Sequence, residues 1–218
     1  MTTYRRGDQG QAFPIYIVMV AGLLFLALAF FAVGKAAATR NGAQGAADAA
    51  ALAAAQDARE LLGPDFLAAL LKPDELGDIF DGQNVLEAHP CFEAQVFAEK
   101  NRSRLVPPTC VLNAGLLRDE FTVHVETLYT VGDSVIPGTE GKHATATATA
   151  VLEPRCTWKQ EDEQEEDPTG DPAADPDAPP APVSFACDGG DLTIDPANPG
   201  SWGELSEKLF AVHLVDGS

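Results

Sequence analysis

Few residues in this chain have a type and spacing suited to chemistry. Its 218 residues include four cysteines, four histidines and 33 carboxylates. Cys91, Cys110, Cys156 and Cys187 are widely spaced and form no C-x-x-C pair. An even number of thiols at such spacing suits two disulfides in an oxidising compartment better than a zinc site or a redox dithiol. His89, His124, His143 and His213 are isolated, and no H-E-x-x-H pair of metal ligands occurs. His124 and His143 fall on two candidate strands that could bring them side by side. Gly132-Asp133-Ser134 lacks the second glycine of a nucleophile elbow, and no glycine loop for a phosphate is present. Asp171, Asp175 and Asp177 lack the spacing, glycine and terminal glutamate of a calcium loop. Asn101-Arg102-Ser103 matches a glycosylation sequon, a pattern short enough to recur by chance. The sequence therefore offers no catalytic residue, no cofactor site and no metal site, and its function has to be sought in its elements.

The element that positions everything else is Phe13 to Val33, FPIYIVMVAGLLFLALAFFAV, which no charge interrupts. Apolar residues would cover every face of this helix, whereas a helix on a soluble core keeps one polar face. At 1.5 Å per residue it spans roughly 30 Å, the thickness of the bilayer hydrocarbon. Pro14 lies in the first turn, where it forfeits no hydrogen bond. Ala36-Ala37-Ala38 supplies the small residues of a cleavage site, but the run is longer than the apolar core of a signal peptide. Arg5-Arg6 is not followed by a twin-arginine pattern. The expected organisation is a leader (1–11), a transmembrane helix (12–34), an alanine-rich stalk (35–63), an α+β domain (64–158), an acidic proline-rich loop (159–182), and a strand plus helix at the end (183–218).

Charge narrows the partners. The net charge is −19. Asp8 alone of the 33 acids precedes the apolar run, leaving 32 beyond it; Arg5 and Arg6 of 14 basic residues precede it, leaving 12. A body near −20 repels nucleic acid, so nucleic-acid binding is excluded as its main role. The basic residues flanking the run give only a slight bias in orientation. Together with the cysteines, all beyond the run, they place the N-terminus inside the cell and the large C-terminal part outside.

Beyond the run, Ala46 to Leu62 is expected to be helical, because alanine is the best helix former, and Gly63-Pro64 to stop it. Run and stalk would make one rod of about 50 residues, roughly 75 Å long, or kink near Asn41-Gly42. Ala43, Ala46, Ala47, Ala50, Ala51 and Ala54 would let another backbone come close, whether that of a neighbouring subunit or of the chain's own sheet. A stalk held by propensity alone is the other reading.

Gly10-Gln11-Ala12-Phe13-Pro14 opens the run, and Arg40-Asn41-Gly42-Ala43-Gln44-Gly45 leads into Ala46-Ala47-Asp48-Ala49-Ala50-Ala51-Leu52-Ala53-Ala54-Ala55 behind it. This arrangement resembles the N-terminal region of TadE/TadG-like proteins of the Tad (Flp) pilus-assembly system, and looks most like the TadG-related branch from high-GC Gram-positive bacteria. The resemblance covers about the first 60 residues. It implies a single-pass membrane protein with an extracytoplasmic domain, whose partners are other Tad pilus-assembly membrane proteins or pilin-like subunits. Some relatives are cut by a prepilin peptidase after a glycine, with a glutamate five residues on. After Gly10 that residue is Ile15, and after Gly7 it is Ala12, so a retained anchor is expected. Larger relatives carry a D-x-S-x-S metal domain that this chain lacks.

Asp65 to Leu71 is expected as a short helix, Lys72 to Gly82 as a loop, and Phe92 to Arg102 as a helix with Phe92, Val96 and Phe97 on one side. A Cys91–Cys110 bridge would clip that helix to a Pro107-Pro108 turn, constraining a loop of about 20 residues by roughly 3 kcal/mol. Phe121, Val123, Val125, Tyr129 and Val131 alternate with Thr122, His124, Glu126 and Thr130, as in a half-buried strand. In HATATATAVL, from His143, period two overrides alanine's helix preference and sets an all-alanine face opposite a threonine face. The two strands suit an antiparallel hairpin, and its alanine face suits close approach by the alanine stalk.

Lys159 to Pro182 holds almost nothing apolar and reads as an acidic disordered tether, which a Cys156–Cys187 bridge would staple at its ends. Val183 to Cys187 reads as a strand, and Trp202 to Leu214 as a helix capped by Ser201 and Glu204, with Trp202, Leu205, Leu209 and Val212 as its apolar stripe. The fold class is thus α+β: one transmembrane helix continuing into an Ala-rich helix packed on a small antiparallel sheet outside the membrane, a pilin-like layout. The function expected is that of a non-enzymatic assembly component; a membrane-tethered binding or sensor module of the envelope is the alternative.

Overall fold

The computed structural model describes residues 12–72, 76–80, 91–115, 118–132, 138–158 and 180–215. The leader, His89, most of the acidic tether with Asp171, Asp175 and Asp177, and Asp133-Ser134 lie outside them.

One unbroken helix, α1 (Ala12–Leu61, 50 residues), joins the apolar run to the alanine segment with no break at Asn41-Gly42. Gly63-Pro64 ends α1 and also starts α2 (Gly63–Ala69), since a proline in a first turn has no hydrogen bond to lose. A five-residue helix α3 (Leu76–Phe80) lies where a loop was expected, because Leu76 and Ile79 are buried in the core. Helix α4 (Cys91–Lys100) turns Ala94 and Ala98 inward, not Phe92, which is 69% exposed. The neighbour of α4 is α1, whose facing residues are alanines, so small side chains win the contact.

The main sheet has the order β1-β2-β3-β7: β1 (Ser103–Asn113), β2 (Asp119–Thr130), β3 (His143–Pro154) and β7 (Phe210–Val215), antiparallel throughout. On its inner face Phe121, Val123 and Val125 stand opposite Ala150, Ala148 and Ala146. Helices α1 and α4 pack on that side of the sheet. The outer face is polar: Thr122 and Thr149 share a hydrogen bond of 2.9 Å, and His124 Nδ1 lies 2.8 Å from Thr147 Oγ1. Pro107-Pro108 is not a turn. It lies inside β1, with a cis peptide bond, where the register with β2 shifts between Leu105 and Cys110. Such an irregularity lets an edge strand keep prolines that cannot donate to the ladder.

The final segment departs most from expectation. Helix α5 (Trp202–Leu209) is only eight residues long, and the chain then extends as β7 along β3. Ser201 sits at the N-cap, but its side chain makes no cap bond. A second, three-stranded sheet, β4 (Cys156–Trp158), β5 (Val183–Cys187) and β6 (Gly190–Ile194), closes the far end of the head. Its Phe185 packs 6.0 Å from Phe66 of α2, which in turn lies 5.2 Å from the Trp202 ring. Cys91–Cys110 ties α4 to β1, and Cys156–Cys187 ties two residues directly opposite each other in β4 and β5.

Candidate functional site: the long helix and its two surroundings

Helix α1 has two halves with different surroundings in the protein. From Phe13 to Val33 its large side chains are open: Phe13, Leu24, Phe30 and Val33 are all 60% exposed or more. Only 6% of the apolar window is buried in the protein, so this is not the core helix of a soluble domain. From Ala43 onward one face of the helix is buried, while Gln44, Gly45, Gln56 and Glu60 on the other remain exposed. Ala43, Ala46, Ala47, Ala50, Ala51 and Ala54 all lie at 0–1% exposure. Their surroundings are β3, β2, β7 and α4 of the same chain, so none of the six is open to another molecule.

Between the halves the helix is fitted closely to the head. A Cβ at Gly42 would collide with the Tyr129 hydroxyl, so a larger residue there would displace the tyrosine ring. The Arg102 guanidinium stacks 4.8 Å from the same tyrosine ring. Lower down, the Lys35 ammonium lies 5.6 Å from the centre of the Phe31 ring, and Thr39 donates to the Lys35 carbonyl at 3.1 Å. At the other end of the packed half, Gly63 faces the Trp202 indole, where a Cβ would come within 2.8–2.9 Å of ring atoms. Two glycines thus admit two aromatic rings and set how far the helix enters the head.

Residues 10–57 match the model of the Flp pilus-assembly TadE/G-like family. The long helix is TadE/G-like. No curated protein and no solved structure matches the chain.

The TadE/G-like segment ends at Asp57, one turn before α1 does, so it holds the exposed half, the close-fitting junction and nearly all of the packed alanines. The strands and the other helices lie beyond it. The sequence points to Gly42 as a kink, Gly63 as a helix stop, Tyr129 as a strand residue and Trp202 as part of an apolar stripe, but not to the contacts Gly42–Tyr129 and Gly63–Trp202. The interrupted alanine run hinted at Gly42, but its aromatic partner, 87 residues away, left no local signal.

The reactive residues are spent structurally. All four cysteines are in disulfides. His124 and His143 are not neighbours: His124 pairs across with Thr147, and His143 Nδ1 lies 2.6 Å from the Thr127 carbonyl oxygen. Among the described residues no cluster of three or more His, Cys, Asp or Glu could hold a metal. An open groove of about 740 Å³ between α5 and the β5–β6 hairpin is lined by Arg155, Asp188, Glu204, Glu207 and Lys208. It presents charges of both signs without a nucleophile beside a base. Asp119 is the one carboxyl pushed up to about 6, chiefly by burial, while a hydrogen bond from the Gly115 backbone opposes the shift. Its Oδ1 is buried without a partner. It opens β2 at the end of the sheet away from the apolar run.

Proposed function

We propose that the chain is a single-pass membrane component of a Tad/Flp-type pilus or secretion-filament assembly system, with its N-terminus in the cytoplasm and its head outside. The observation that carries this reading is the coincidence of the TadE/G-like match, residues 10–57, with a helix that is bare over the length of a bilayer and has one face packed from Ala43 onward. Two disulfides support an oxidising location for the head. In this reading the protein acts by holding a rigid acidic head at a set height above the membrane and by lateral contacts of the bare helix with other assembly proteins, not by chemistry. Rigidity follows from α1 itself, which crosses from lipid into the head without a linker.

The test is deletion of the gene in the organism that carries it, with electron microscopy of surface filaments and a complementing copy. Loss of Flp-type filaments, restored by the full chain but not by one lacking residues 12–34, is expected. Normal filaments in the deletion strain would refute the assignment.

A further inference from the structure

The head has few positive charges, yet the tertiary structure gathers many of them at one end. Arg102 stacks on Tyr129, whose hydroxyl touches Gly42. Lys100 is the last residue of α4, two positions before Arg102. The Lys142 carbonyl accepts the Val131 amide hydrogen, and the next residue, Gly132, lies beside the Lys35 ammonium. Arg40 projects from α1 just below Gly42 and is exposed, as are Lys100, Arg102 and Lys142. Three separate segments, α1, the α4–β1 junction and the approach to β3, thus bring five cations to the end of the head that meets the apolar run. Two described carboxylates lie close to them in sequence, Glu99, which accepts from the Gln95 amide at 3.0 Å, and Glu140, which accepts from the Gly138 amide at 2.8 Å, so cations outnumber the nearby described acids at this end. Everywhere else acids predominate, since 32 carboxylates face only 12 basic residues beyond the run.

Height identifies the partner. Counting from Val33 at 1.5 Å per residue, Lys35 lies about 3 Å, Arg40 about 10 Å and Gly42 about 13 Å past the apolar run. A bilayer's polar layer is roughly 5–8 Å deep on each side of its hydrocarbon. Charges act over a Debye length of about 8 Å beyond it at physiological salt. Lys35 and Arg40 occupy that band, and Arg102, through Tyr129 at Gly42, and Lys142, beside Val131, are held at the same level of the helix. The geometry points to a collar that seats the head on anionic lipid headgroups and thereby fixes its orientation on the membrane; this rests on the membrane reading above. The rest of the head, strongly acidic, is repelled by the same surface, so only this end docks.

The test uses the full chain in lipid nanodiscs, one copy per disc. One set is pure phosphatidylcholine and the other an equal mixture with phosphatidylglycerol. Amide hydrogen exchange is read at 129–132 and 138–142. Exchange there is expected to slow at least about fivefold in the anionic discs, the weight of one basic residue near a charged surface, and to recover in high salt. The Arg40→Gln/Lys142→Gln chain, whose replaced side chains are exposed, should lose the difference while keeping its thermal midpoint. Equal exchange in both lipids overturns the collar but not the anchor. Slowing that appears only with several copies per disc assigns the collar to the acidic surface of a second copy and also overturns the proposal. A chain that does not enter the discs overturns both readings.

Discussion

The contact between α1 and β3 can be tested at Ala150. Its side chain is fully buried on the inner face of β3, opposite Phe121, in the core that contains Ala46, Ala47, Ala50, Ala51 and Ala54. Both surfaces are built from single methyl groups, so helix and sheet approach as closely as their backbones allow. Ala150→Leu adds three carbons where there is no free surface. Overpacking of this kind costs about 1–3 kcal/mol, because either the leucine leaves its rotamer or the helix lifts along its packed length. A lifted helix also loses dispersion contacts at every alanine along that length. For a head of this size each kcal/mol lowers the midpoint by about 2–4 °C, so a fall of about 2–12 °C is expected. The assay is thermal unfolding of the full chain in detergent, followed by the fluorescence of Trp158 and Trp202, because the helical signal is dominated by the membrane half. Thr145→Leu, on the exposed face of the same strand, should stay within about 0.5 kcal/mol of the parent. A midpoint for Ala150→Leu equal to the parent's would refute the close-packing argument.

Three further outcomes follow from the same structure. Asp119, raised from 3.8 to about 6 by burial, binds its proton more tightly folded than unfolded, so its contribution is complete below pH 4 and is lost as pH rises through 6. Asp119→Asn should raise stability above pH 7 by about 1–3 kcal/mol and flatten urea midpoints between pH 4 and 6; an unchanged pH profile would count against this. Removing Cys156–Cys187, which spans 31 residues, should cost about 3.7 kcal/mol, and removing Cys91–Cys110, which spans 19, about 3.2 kcal/mol, measured by urea unfolding of the paired Cys→Ser chains. Gly63→Ala should destabilise by about 1–3 kcal/mol despite alanine's better helix propensity, because its Cβ meets the Trp202 ring. In a Trp202→Leu background the same change should cost little, and an equal cost in both backgrounds would remove Trp202 as the cause.

Much of the fold was legible because its strongest signals are local. An unbroken apolar run, a run of alanines and strict T-A alternation each state their period within a dozen residues, and the disulfide pairs bracket short segments. The errors lie where distant chain decides. Phe210 to Val215 continues the apolar stripe of α5, so local periodicity extends the helix to Leu214; the free edge of β3 takes these residues as β7 instead. Pro107-Pro108 suggests a turn, yet β1 runs through it by shifting register. Phe92 suggested the buried face of α4, but the opposing alanines of α1 admit only Ala94 and Ala98.

The amino-acid order alone therefore determined that a long apolar helix runs into an alanine helix, and that a small-residue hairpin and two bridges follow it, because these depend on propensity and hydrophobic pattern over short stretches. Only the tertiary structure decided which faces meet, which strand takes the edge of β3, which glycines admit Tyr129 and Trp202, and that Lys35, Arg40, Lys100, Arg102 and Lys142 gather at one end. Those outcomes are set by contacts between segments tens of residues apart, and no local period records the shape or charge of a distant partner.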